Sequence, residues 1–230
     1  MRAEQDPGIE AEASAPSGPQ HAYESLRAAI VGGQLQPNER LVEADLIRML
    51  QARRSAVRTA LVRLMQEGLV EHEPNRGAKV RFIDEHEAAE ILESRMVLEG
   101  LAARYAARNA TKANVTELRT ILKQMRALLD AGDLFGTSDL NARLHARLLE
   151  ISRHGTASRL VATLSSQLVR FQYRTILSPG RAEQSHAEHR AIVDAVAKRD
   201  PDAAEQAVRD HLAHVVEALR AQRWSTTPVV

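Results

Sequence analysis

The chain has 230 residues, enough for one large or two ordinary domains with a buried core. It contains no cysteine, which excludes disulfides, thiolate metal sites and cysteine nucleophiles. A net charge of +1 excludes a polycation that would hold nucleic acid by bulk electrostatics, so the local distribution of charge carries the information. Hydrophobic residues make up 44% and aromatics only 3%, and the apolar residues are mostly Leu, Ala and Val, a helix-bundle composition. No apolar run is long enough to span a bilayer and no signal-peptide core is present, so the expectation is a cytoplasmic protein without a membrane partner.

Residues 1–19, rich in Glu, Ala, Ser, Pro and Gly, read as a disordered tail. From Tyr23, the residues Leu26, Ile30 and Val31 give a short amphipathic helix that stops at Gly32-Gly33. Leu35 and Leu41 flank a turn at Pro37-Asn38. The spacing of Leu46, Ile47 and Leu50 predicts a second helix over 43–50. Val57, Leu61, Leu64 and Met65 predict a third over 55–67, ended by Gly68. Two short alternating runs, 69–73 and 78–82, surround Pro74-Asn75-Arg76-Gly77 and predict a β-hairpin with a basic tip. Three helices and a hairpin over 20–83 form the winged helix-turn-helix layout, in which the second helix of the turn enters the major groove.

The charge pattern agrees. Arg53, Arg54, Arg58 and Arg63 fall within the stretch 53–63 with no acidic residue among them. One such arginine alone reads as solvated surface charge, and Arg63 reads equally well as a backbone neighbour. Arg54 and Arg58, four apart, share a face, and each guanidinium matches guanine O6 and N7 with two parallel donors. Ser55 near the helix start suits a phosphate or base edge. Arg76 at the hairpin tip suits a narrow groove, with Gly77 allowing close backbone approach.

From Asp84 to about residue 224 only helical periodicity is found, with helices expected at 84–109, 112–131, 137–152, 156–177, 182–199 and 201–223. Thr111, Ser138 and Asp200 are acceptable N-caps. The fold class is therefore mainly α, a winged helix-turn-helix followed by an all-helical bundle.

Four polar residues interrupt the apolar stripes of that bundle. Asn141 and His145 lie among Leu140, Leu144 and Leu148. His189 precedes Ile192, Val193 and Val196, and His211 sits between Val208 and Leu212. Any one of these histidines reads as a satisfied core residue. Together they fit a divalent metal held by three imidazoles and one oxygen, because buried polar groups cost free energy unless partnered. Zinc is the first expectation, with nickel, manganese or iron as alternatives. Arg95 also lies within a stripe, where it either pairs with Glu99 one turn on or faces the metal cavity and clamps an anion. Arg170, Tyr173 and Arg174 are further candidates to line that cavity.

Residues from Ala22-Tyr23-Glu24 to Gly77-Ala78-Lys79-Val80 resemble the DNA-binding domain of the GntR family. The resemblance rests on Gly32-Gly33-Gln34-Leu35, Pro37-Asn38-Glu39-Arg40-Leu41-Val42-Glu43, Arg54-Ser55-Ala56-Val57-Arg58-Thr59-Ala60-Leu61 and the wing Asn75-Arg76-Gly77. The helical remainder resembles the FCD effector domain of the FadR-like branch, through Arg95-Met96-Val97-Leu98-Glu99, Asn141 with His145, His189-Arg190-Ala191-Ile192 and His211-Leu212. Departures are Arg53 where the family commonly has a capping Ser, Ala56 for Pro, Thr59 for Glu, and Asn141 where Asp is frequent.

The resemblance implies a homodimeric repressor of a catabolic operon, bound to double-stranded DNA at a short inverted repeat. It also implies the same metal set, Asn141, His145, His189 and His211. A small carboxylate effector is expected beside the metal, with Arg95 and Arg174 as effector-binding residues. Two alternatives stand beside this reading: a helical metal-dependent hydrolase, with Glu99 or Glu188 as general base, and a direct metal sensor.

Overall fold

The computed structural model describes residues 18–73, 76–168, 176 and 178–221. Residues 1–17 of the tail expected over 1–19 lie outside that range, as do Arg170, Tyr173 and Arg174, whereas Pro19, its last residue, opens a helix. The chain divides between Arg81 and Phe82 into two compact units.

The first unit holds α1 (Pro19–Val31), β1 (Arg40–Leu41), α2 (Glu43–Leu50), α3 (Arg54–Gln66), β2 (Val70–Glu73) and β3 (Gly77–Val80). Proline at the start of α1 costs no hydrogen bond there, and Ala22, Tyr23, Leu26, Ala29 and Ile30 form its buried stripe against α3. Gly33, at φ 75°, supplies the left-handed step that releases the chain. Leu46 and Leu50 of α2 and Val57, Ala60, Leu61 and Leu64 of α3 complete one core with Val70 and Val80 of the wing.

The wing is a three-stranded antiparallel sheet in the order β1-β3-β2. The third strand is new relative to the sequence reading, which placed only a turn around Pro37-Asn38. Arg40 pairs with Lys79 and Leu41 with Ala78, and Asn38 N donates to Val80 O at 2.9 Å. A strand of two residues carries no alternating pattern, so only its tertiary partner defines it.

The second unit is all helix among the described residues: α4 (Glu85–Asn109), α5 (Lys112–Asp130), α6 (Leu134–Ser152), α7 (Gly155–Gln167), α8 (Arg181–Ala197) and α9 (Pro201–Ala221). The long α4 is the hub, packed on α6, α7, α8 and most extensively on α9. Small residues permit this closeness, since Ala102, Ala103, Ala106 and Ala107 are all buried. Gly100 serves the same contact, because a Cβ there would come within 3.2 Å of Arg209 Cγ.

Most helix starts in this unit have a side-chain acceptor where the chain turns, the exception being α8, which follows Gly180. Asp84, Thr111 and Asp133 accept from the backbone N–H of Glu87, Asn114 and Gly136, and Asp200 accepts from Ala203. The expected cap at Ser138 is corrected: α6 begins a turn earlier, and Ser138 is a buried residue inside it. Gly132, at φ 75°, turns the chain so that the Asp133 carboxylate reaches Gly136 N at 2.8 Å, ahead of the first apolar-periodic residue. The described part of α7 ends at Gln167; the remainder of the helix expected over 156–177 lies mostly outside the described residues.

Thr111 and Asn114 form a reciprocal capping box, Asn114 N donating to Thr111 Oγ1 at 3.2 Å and Thr111 N to Asn114 Oδ1 at 2.9 Å. Thr111→Ala is expected to cost about 1 kcal/mol. A lowered midpoint of urea denaturation with an unchanged slope checks this.

Candidate nucleic-acid interface and metal centre

Two sets of side chains, one in each unit, stand out chemically. In the first unit, α3 opens at Arg54 with Arg53 in the N-cap position and no side-chain cap, so its first N–H groups are left for another acceptor. Ser55 is exposed beside them, and its carbonyl accepts from Thr59 Oγ1 at 3.0 Å.

Arg54 and Arg58 both turn to one carboxylate, Glu43 at the start of α2. Arg58 Nε donates to Glu43 Oε1 at 2.9 Å and Oε2 at 3.1 Å, and Arg54 Nε stands 3.9 Å from Oε2. Both guanidiniums remain more than half exposed, at 68% and 63%. Ion pairs this wet contribute at most about 1 kcal/mol, so the arginines are aligned yet readily released to a stronger acceptor. Glu43 was not legible as their partner in the sequence, because it lies 15 positions before Arg58 and on another helix.

At the wing, Arg76 is exposed, 3.5 Å from Glu73, and its carbonyl accepts from Arg40 Nε at 3.0 Å. Gly77 has φ 88°, a conformation an L side chain rarely adopts, so glycine is required there by the backbone. A shallow groove of about 480 Å³ runs between the two, lined by Arg40, Glu43, Arg58, Met65 and Arg76. Arg63 belongs elsewhere: its guanidinium stacks 3.6 Å over the Tyr23 ring and donates to Gln20 Oε1 at 2.8 Å, holding α3 to α1.

In the second unit, α6, α8 and α9 bring His145, His189 and His211 together, with one ring nitrogen from each lying within 4.8 Å of the others. His145 Nε2 and His189 Nε2 are 3.2 Å apart, and the His189 and His211 ring centroids are 4.3 Å apart. All three rings are buried. Burial, together with the neighbouring imidazoles and Arg181, holds His189 and His211 well below the ordinary imidazole range, so both are neutral.

Two carboxylates decide which nitrogen is free. Glu99 Oε2 lies 2.8 Å from His145 Nδ1, and Glu188 Oε2 lies 2.7 Å from His211 Nδ1. A carboxylate can only accept, so each Nδ1 carries the hydrogen and each Nε2 presents a lone pair inward. Burial alone would raise the Glu99 carboxyl, but the Arg95 charge and the His145 hydrogen bond override it and bring it down to about 2. Glu188 also accepts from His214 Nδ1 at 2.7 Å, which places His214 outside the ring of imidazoles.

This donor set suits a divalent cation. Imidazole lone pairs converging on one point repel unless a cation separates them, and Asn141 Oδ1 is buried beside them with no hydrogen-bond partner among the described residues. Carboxylate-oriented imidazoles are also the usual surroundings of a bound metal.

The histidines border a cavity of about 290 Å³, lined by Arg95, Glu99, Asn141, His145, Arg181 and His211 and by apolar side chains such as Leu92, Met125 and Leu212. His189 is fully buried and does not line the cavity itself. Arg95, expected either to pair with Glu99 or to face the cavity, does both: Nε and Nη2 each sit 2.7 Å from Glu99 Oε1. Glu99 and Glu188, weighed from sequence as general bases, are instead engaged in orienting histidines. Arg181 was not singled out from sequence. A signal existed, since Arg181, Glu188 and His189 follow one another at i, i+7 and i+8 on a single helix face.

Residues 90–214 match the FCD domain, and residues 19–80 match the bacterial regulatory proteins of the gntR family. The chain belongs to the GntR family. An HTH-type transcriptional regulator in an unstable DNA locus of Streptomyces ambofaciens is 31% identical over 86% of this chain and 85% of its own length. The HTH-type transcriptional repressor RspR of Escherichia coli is 28% identical over 89% of this chain and 90% of the repressor. The solved structure of E. coli McbR/YncC aligns with TM-score 0.72 at 19% identity, over 90% of this chain and 99% of that one. A GntR regulator from Rhodococcus sp. RHA1 aligns with TM-score 0.69 at 23% identity, over 89% and 99%. These two share the fold. GntR-family regulators bind DNA and commonly act as dimers, and FCD domains typically bind a metal. No helix among the described residues is long and apolar enough to cross a membrane.

Proposed function

We propose that this GntR-family regulator is a homodimeric, cytoplasmic repressor of a catabolic operon, released when a small organic acid enters the metal-lined cavity. The observation that carries the reading is the cavity and the cluster at its edge, where three mutually close imidazole nitrogens and the unpartnered Asn141 Oδ1 meet guanidinium groups inside an otherwise apolar wall.

His145, His189, His211 and Asn141 would hold the metal, zinc first among the imidazole-favouring ions, with nickel, manganese or iron as the alternatives. When bound, it supplies a Lewis-acidic charge that attracts carboxylate oxygen. Around it the protein's own groups set the chemistry: Glu99 and Glu188 fix the imidazole tautomers, and Arg95 holds Glu99 ionised. An acid bound among α4, α6, α8 and α9 changes the contacts of four helices at once. Release from DNA requires that it bind the two dimer states with different affinity.

On the DNA side, Arg54 and Arg58 would exchange Glu43 for guanine edges, with Arg53, Ser55, Arg76 and Gly77 at the backbone and flanking groove. One winged domain reads few base pairs, so two-fold symmetry and an inverted repeat are needed for useful affinity. A hydrolase at the same centre would need a free general base. Both carboxylates bonded to its histidines are already taken up by Nδ1–H and guanidinium donors.

The test is selection of binding sites from random duplex DNA, with the Arg54→Ala, Arg58→Ala protein run in parallel. A short inverted repeat enriched by the wild type alone is expected, and that repeat then reports release by candidate acids with and without metal. Enrichment of no sequence by a folded, dimeric wild type would remove the proposal's support.

A further inference from the structure

We infer that Arg181 is the residue that receives the effector's carboxylate. This rests on reading the cavity as an effector site, and it names the group that recognises the effector.

Arg181 is the first residue of α8 and is 5% exposed, a degree of burial that charged residues reach almost only when paired. Its Nη2 donates to Glu188 Oε2 at 2.9 Å. Its Nη1 is buried and has no hydrogen-bond partner among the described residues, although the side chain lines the cavity. A buried, unsatisfied donor on a charged group is costly and calls for an acceptor. Arg95 is placed differently: Nε and Nη2 both converge on a single oxygen of Glu99. Of these two arginines, Arg181 is the one with a donor that is both buried and without a partner among the described residues.

Charge balance points the same way. Arg95 and Arg181 are offset by Glu99 and Glu188. Any divalent ion at the histidines leaves the cavity with surplus positive charge in a low-dielectric setting, which an anion neutralises. The anion is a short-chain organic acid. At about 290 Å³ the space lies at the small end of ligand pockets, and Leu92, Met125, Val161 and Leu212 offer an apolar wall to an alkyl or aryl part. A phosphate dianion, hydrated on every side, gains nothing from such a wall.

Because Glu188 also accepts from His211 and His214, the Arg181 contact joins the ligand to α9 through one carboxylate. No second charged group is needed to explain how an acid in the cavity is felt by that helix.

The experiment is calorimetric titration of the full-length, metal-loaded protein with acetate, lactate, malonate and benzoate, with their primary amides, and with inorganic phosphate. Wild type, Arg181→Lys and Arg181→Met are compared, and the metal content of each is measured. At least one acid is expected to bind the wild type, with its amide and phosphate about tenfold weaker or more. Arg181→Met should lose about tenfold to a hundredfold for the acid while keeping its metal, and Arg181→Lys, a charge without the fork, should fall between. A crystal structure of the acid-soaked wild type should place a carboxylate oxygen within hydrogen-bond distance of Nη1. That structure decides the matter on the wild type alone should the methionine variant fail to fold.

The inference is overturned if no acid binds the wild type, or if amide or phosphate binds as well as the acid. It is equally overturned if Arg181→Met retains the acid affinity, or if the bound acid leaves Nη1 unpartnered. A wild type that holds no metal, yet binds acid in an Arg181-dependent way, would instead refute the metal reading and leave this one standing.

Discussion

Replacing Arg54 and Arg58 together with alanine is expected to weaken binding to the protein's own inverted repeat by about 2–6 kcal/mol, from two guanidinium–guanine pairs at about 1–3 kcal/mol each. The expectation follows from their placement: both lie on the exposed face of α3, four residues apart, and both are aligned by one carboxylate that makes only wet ion pairs with them. Binding to a scrambled duplex should fall far less, with a salt dependence shallower by about two charges. Fluorescence anisotropy on both duplexes at several salt concentrations separates these effects. Glu43→Gln is the informative companion. It removes a negative charge from the interface, so it should tighten binding to the scrambled duplex and narrow the gap between specific and non-specific sites. Retention of operator affinity by the double variant within a few-fold would mean that another surface reads the DNA.

His189→Ala is expected to abolish metal retention. Purified wild type should carry about one divalent ion per chain, and at metal concentrations about 1,000-fold above Kd should gain about 4 kcal/mol of stability. The variant should show neither the ion nor the gain. His189 is the sharpest choice because it is fully buried and its Nε2 faces that of His145 at 3.2 Å, so its loss removes a central donor without exposing the site. Asn141→Asp should act in the opposite direction. The amide oxygen is buried and unpartnered, and a carboxylate there adds charge to the donor set, so metal should be held more tightly. Metal analysis after dialysis against graded chelator ranks the three proteins. Equal retention by wild type and His189→Ala would place any metal elsewhere.

How much of this was readable in advance varied with the physics of each feature. The helices of both units were legible because their apolar residues recur at the helical period, as in Leu144, Leu148 and Ile151 on α6 or Ala204, Val208 and Leu212 on α9. The three histidines were legible for the same reason, as polar interruptions of apolar stripes. Boundaries were less so. The start of α6 was misplaced because Asp133 and Ser138 are both plausible caps by residue type, and the glycine turn at 132 decided between them. The strand β1 was invisible, since two residues have no periodicity to read.

The sequence by itself determined the fold class, the basic face of α3 and the three clustered histidines, because each depends on local periodicity and residue type. Only the tertiary structure decided how charge is shared. Glu43 reaches Arg58 across the turn, Glu99 and Glu188 settle on Nδ1 of His145 and His211, and Arg181 keeps an unpaired Nη1 beside the cavity. These pairings join residues 15 to 46 positions apart or depend on which donor of a guanidinium is left over. Hydrogen bonding is directional and short-ranged, so which partner a buried charge takes is set by three-dimensional placement and leaves no periodic trace along the chain.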